Sequence, residues 1–131
     1  MLLSFAGLSA DFNFQTGEWK APSEADNLKN PLVYNETNIK AGKKTFENLC
    51  WSCHGMSGNG SGPASEALVI KPANLANADI QKQSDGAIYW KLSSGRGVMA
   101  SYSQVLSTTQ RWQLVNYIRQ FKVTQQTDNI N

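Results

Sequence analysis

The chain has 131 residues, within the size range of a single domain. Hydrophobic residues make up 40% and charged residues 17%, the balance of a soluble globular protein, and a formal charge of +2 is too small to imply nucleic-acid binding. The apolar stretch from Leu2 to Ala10 falls far short of the roughly 20 residues that a spanning helix needs, and it lacks the positive start of a full signal peptide.

Residues 1–36 read as an extended leader, a signal remnant or an arm that docks on a partner. They carry five acids against Lys20 and Lys29, whereas residues 37–122 carry ten Lys or Arg against four acids. A basic domain behind an acidic leader suits an acidic redox partner, and it equally suits a solvated surface of mixed charge. Pro22, Pro31, Asn27, Asn30 and Asn35 favour turns in the leader, with a short helical turn from Pro22 to Asp26. Its aromatic residues Phe12, Phe14 and Trp19 fit docking along a partner or wrapping the chain's own domain.

Thr37 or Asn38 can cap the first helix, whose apolar face is Ile39, Gly42, Phe46, Leu49 and Cys50. A glycine in that face costs about 1 kcal/mol relative to alanine, so Gly42 points to close approach of another backbone. A glycine-rich loop follows from Gly55 to Pro63, then a short helix between Ala64 and Val69 that stops before Pro72. Ser84 or Asp85 caps a second helix, which ends at Gly95. Ser107 or Thr108 caps the last, with Trp112, Leu114, Val115, Tyr117, Ile118 and Phe121 as its apolar set. Residues 123–131 read as a frayed polar tail, and the class is all-α.

The only two cysteines lie in Cys50-Trp51-Ser52-Cys53-His54, the attachment signature of a c-type haem. Two thiols one helical turn apart can each bond a vinyl-derived carbon on one porphyrin edge, and the adjacent His54 can ligate the iron from one face. A thioredoxin-like site needs a preceding strand and a βαβ pattern, and a zinc site needs a fourth ligand. A disulfide across so tight a loop leaves the rest of the pattern unexplained. His54 is the only histidine, so two histidines of this chain cannot both be axial ligands. Met56 lies too near His54 to reach the other face, and Met1 lies in the leader. Met99, between Gly97 and Ala100 and 45 residues beyond His54, can wrap over the far face.

These residues resemble a class I cytochrome c over roughly positions 38–122. Gly42 and Phe46 resemble the pair that meets the last helix in that fold, and Leu114 and Tyr117 resemble their partners. The runs Cys53 to Pro63, Lys71 to Leu75, Asp85 to Lys91 and Arg111 to Arg119 resemble a bacterial subgroup with a glycine-rich loop after the histidine. The resemblance implies three main helices plus short helices around one covalently attached haem c, with His54 and Met99 on the iron. It also implies that a proline carbonyl, of Pro63 or Pro72, accepts the outer ring proton of His54. Trp90 and Arg96 would neighbour the propionates, since indole N–H and guanidinium donate to carboxylates; for Trp90, core packing is the rival role. Ala100 stands where the family has proline, which implies a softer Met99 loop, and Ser61 stands where the subgroup usually has Asp.

The expected function is electron transfer between periplasmic or membrane-bound redox partners by an exported protein that is not an enzyme. Two alternatives stay open: a haem subunit of a larger respiratory complex, and a ligand-binding or peroxidase-like haem protein with a labile sixth position.

Overall fold

The structure, a computed structural model, describes residues 18–122. The apolar stretch Leu2 to Ala10, Phe12, Phe14, Met1 and the tail 123–131 lie outside the described residues.

Helix α1 spans Glu36–Leu49 and is capped by Asn35, whose side-chain oxygen accepts the Asn38 N–H at 2.9 Å. The cap therefore stands two or three residues before the positions that composition suggested. Asn35 takes the extended backbone that capping requires, whereas Thr37 and Asn38 are already inside the helix. Cys50 separates α1 from a single turn, α2, Trp51–His54. A short helix that sequence reading missed, α3, covers Ala78–Gln81. Helix α4, Asp85–Ser94, is capped by Ser84 and ends at Gly95. Helix α5, Thr108–Ile118, starts with a reciprocal box in which Ser107 and Gln110 satisfy each other's backbone N–H. Turns of 3-10 helix fall at Ser23–Asn27, Ser65–Ala67 and Tyr102–Gln104, and no strand forms among the described residues.

The architecture is all-α, with α1 crossing α5 as its main packing event. At the crossing, a Cβ on Gly42 would stand 2.0 Å from the Gln113 carbonyl oxygen and 2.9 Å from Tyr117 Cβ. Only glycine lets the two backbones come that close. Phe46, Tyr117 and Phe121 then form a ring cluster with centroids 5.1 to 5.3 Å apart. Phe46, Leu114 and Val115 are the largest fully buried side chains. Edge-to-face packing adds about 0.5–1.5 kcal/mol per pair beyond burial alone.

The described part of the leader lies along this domain. Ala25 is buried against α4, where a Cβ on Gly86 would come within 1.9 Å of the Ala25 carbonyl oxygen. Asn30 donates to the Asn116 side chain at 2.7 Å, and Asn116 donates to the Val33 carbonyl at 3.3 Å. Leu32 packs on the core. Residues 18–35 thus form a strap across α4 and α5. This stretch lies against its own domain.

Candidate functional site

Helix α1 delivers Cys50 at its C-terminal end, and the turn α2 carries Cys53 and His54 one turn further on. Such a short helix leaves its carbonyls without intrahelical partners, and the glycine-rich loop folds back to satisfy them. Ala64, Gly62 and Gly60 donate to the carbonyls of Ser52, Cys53 and His54 at 2.8, 3.0 and 2.8 Å. Asn59 holds the loop from inside by accepting the Ser61 N–H at 3.1 Å and its hydroxyl at 2.6 Å. Leu75 donates to the Gly58 carbonyl at 2.7 Å, which draws the run from Pro72 to Leu75 alongside.

That run supplies the partner of the histidine. The Nδ1 of His54 lies 3.1 Å from the Ala73 carbonyl oxygen. A carbonyl can only accept, so Nδ1 carries the proton and Nε2 of the neutral ring keeps its lone pair. The expected proline acceptor is corrected by one residue: the bond goes to Ala73, not to Pro63 or Pro72. Pro63 is exposed beyond the loop, and the Pro72 carbonyl faces Gly60, where a Cβ would meet it at 2.5 Å. Burial pushes the His54 imidazole toward its neutral form, and the Ala73 bond opposes part of that push.

Cys50 and Cys53 are half-buried free thiols. Burial, and secondarily the neighbouring Cys53, push the Cys50 thiol up to about 12, so it stays protonated at neutral pH. Among the described residues, no three His, Cys, Asp or Glu side chains converge as ligands of one metal ion. Two thiols flanking one turn and a neutral imidazole fit a group that takes the two sulfurs at its edge and one imidazole nitrogen at its centre. A haem c has that form. Ile39, Leu75, Tyr89, Met99 and Tyr102 add half-buried apolar surface against the core, suited to a flat apolar ring system.

Met99 sits in a turn closed by a reciprocal backbone pair: Arg96 N–H donates to the Met99 carbonyl at 2.9 Å, and Met99 N–H donates back at 3.0 Å. Gly97, at φ +57°, makes the corner in the left-handed region that favours glycine. Two backbone bonds thus close the loop beside Ala100, which lacks the fixed torsion of a proline. Tyr102, three residues on, donates to the Leu49 carbonyl at 3.4 Å, which ties the Met99 loop to the attachment end of α1. Burial pushes the Tyr102 phenol up, and the two cysteines push it the same way.

Trp90 and Arg96 come together at a cleft of ≈ 340 Å³ that Glu18, Trp19, Lys20 and Gly95 also line. Trp19 is the residue that sequence reading left without a place at the site. The strap carries it there, and its lone aromatic character in a polar stretch was the available signal.

The family profile described as cytochrome c matches residues 39–122. Among solved structures, the chain is similar to one from the reducing HAO-like protein complex of Kuenenia stuttgartiensis, at 31% identity and a TM-score of 0.65. The match covers 72% of this chain and 49% of that one, so this chain spans about half the length of its structural relative. No curated protein matches the sequence.

Proposed function

The chain belongs to the cytochrome c family, and on that premise we propose that it passes single electrons through one haem c bound by Cys50 and Cys53, with His54 and Met99 as axial ligands. Haem binding and electron transfer come with the family; the ligand pair, the count of one haem and the absence of catalysis are our reading. The haem domain is residues 37–122, and the loop from Cys53 to Pro63 supports membership of the glycine-rich-loop subgroup.

The observation that carries the reading is the set of the His54 ring. Its bond to Ala73 fixes the tautomer, leaves Nε2 with the lone pair that an iron takes, and raises the basicity of that nitrogen. The bound iron supplies a one-electron couple, whose potential methionine ligation raises. The chain's own work is to exclude water and hold both ligand loops. Trp90 and Arg96 are proposed as donors to the propionates.

A second reading has its own support. The similar solved chain belongs to a multi-chain complex, which favours a role as the haem subunit of a larger assembly. Among the described residues no helix is long and apolar enough to cross a membrane. We therefore propose an exported, periplasmic protein that reaches any membrane complex through partner proteins.

Optical spectra of the purified protein in both redox states test the ligand pair. A far-red sulfur-to-iron band is expected in the oxidised form and is lost in Met99→Ala; a wild type without it refutes methionine ligation. Haem that dissolves out under acid–acetone refutes the covalent bond. Gel filtration of the native protein from its own cells separates a free carrier from a subunit.

A further inference from the structure

We propose that Trp19 is a positioning residue: through it the strap holds the Arg96–Met99 turn closed and so sets how readily Met99 leaves the iron. The inference rests on the reading of Met99 as sixth ligand.

The Trp19 ring faces two cations on different elements. Lys91 Nζ lies 5.5 Å from its centroid and Arg96 Cζ lies 5.7 Å away. Lys91 belongs to α4 and Arg96 to the turn that follows, so one indole ties the helix to the loop. Arg96 is also one of the two residues whose backbones close the turn. The tip of that turn is unsupported: Val98 is 76% exposed, and a Cβ on Gly97 would meet nothing within 4 Å. The turn is therefore held from its base, and the base residue on the Arg96 leg is the one that Trp19 covers.

A cation–aromatic contact uses the face of the guanidinium and not its in-plane N–H groups, which are the ones that bond carboxylates such as propionates. Covering Arg96 and serving the haem edge are thus compatible. The strap itself is anchored elsewhere, at Gly86 by Ala25 and at Asn116 by Asn30 and Val33. Removing the indole deletes its contact with Arg96 and leaves these anchors of the strap in place.

Two readouts on the holoprotein test this: amide hydrogen exchange at Arg96 and Met99, and imidazole binding to the ferric iron. In Trp19→Ala both amides exchange faster and imidazole binds more tightly, each by roughly fivefold, the factor expected of a partly exposed cation–aromatic contact. Trp19→Phe, which keeps an aromatic face, stays near wild type in both. Ser107→Ala weakens a distant helix cap and moves neither. Unchanged exchange in Trp19→Ala overturns the inference. Faster exchange with unchanged imidazole affinity and an intact far-red band overturns the link to the iron. If the wild type has no such band and Trp19→Ala alters exchange alone, the methionine reading fails while the strap's hold on the turn stands.

Discussion

Gly42 of α1 and Gln113 of α5 meet so closely that a Cβ on the glycine would stand 2.0 Å from the Gln113 carbonyl oxygen. The obstacle is backbone at the centre of the main helix crossing, so it cannot swing aside as a flexible side chain would. Gly42→Ala therefore forces α1 and α5 apart. Its gain of about 1 kcal/mol in helix propensity is outweighed by overpacking of about 3 kcal/mol or more. Denaturant unfolding of the holoprotein measures the net loss, and a neutral or stabilising effect contradicts the crossing as described.

Arg119 gathers the end of α5 onto the start of α4. Its guanidinium reaches Asp85 at 2.8 and 2.9 Å and the carbonyls of Gln81 and Gln83 at 2.8 and 2.6 Å. The arginine side chain is only 20% exposed, so Arg119→Ala strands two carbonyls and a carboxylate, at about 2–3 kcal/mol. Arg119→Lys recovers less than half of that, because an ammonium cannot fork between partners. Asp85→Asn costs less still, since its side chain is 39% exposed and water screens the pair. Thermal melts of the three variants give the ranking.

Asn116 is 2% exposed and anchors the strap at two points. Asn116→Ala removes both bonds and leaves the Asn30 amide to find water, while the Val33 carbonyl keeps the Asn38 side chain at 2.9 Å, at a cost of about 1–2 kcal/mol. Limited proteolysis reads the consequence: cleavage within residues 18–35 accelerates before any cut within α5. Simultaneous cleavage everywhere indicates global unfolding instead and contradicts a locally anchored strap.

The Tyr117 phenol is pushed above its ordinary value of 10.0 by burial and, secondarily, by the Glu47 carboxylate. Above pH 10 the unfolded chain releases this proton while the folded chain retains it. The stability that Tyr117 contributes is thus present below that pH and lost as pH rises through the folded value. Denaturant unfolding between about pH 8 and about pH 11 therefore shows a shallower alkaline decline in Tyr117→Phe than in wild type.

Much of the helical frame was legible, because its signals are local. Ser84, Ser107 and Gly95 mark helix ends through their own backbone and side-chain chemistry, and the structure uses all three. Asn35 was missed in favour of Thr37 or Asn38, because several cap-forming residues stand together there and only the chain's entry path selects one. The short helix Ala78–Gln81 left no signal, being too brief for periodicity. The bonding role of Arg119 was not legible because its partners lie 34 to 38 residues away in sequence.

What the sequence determined by itself was the attachment motif, two thiols and a histidine at a fixed spacing, and a glycine that announced a close helix crossing. Each depends on residue type at a short range. The tertiary structure alone decided that Ala73, not a proline, accepts the His54 proton, that Met99 is bridged to Arg96, and that residues 18–35 are a strap carrying Trp19 to that bridge. Every residue but proline offers the same backbone donor and every residue the same acceptor. Which pair meets depends on how distant segments pack, and no local pattern encodes that.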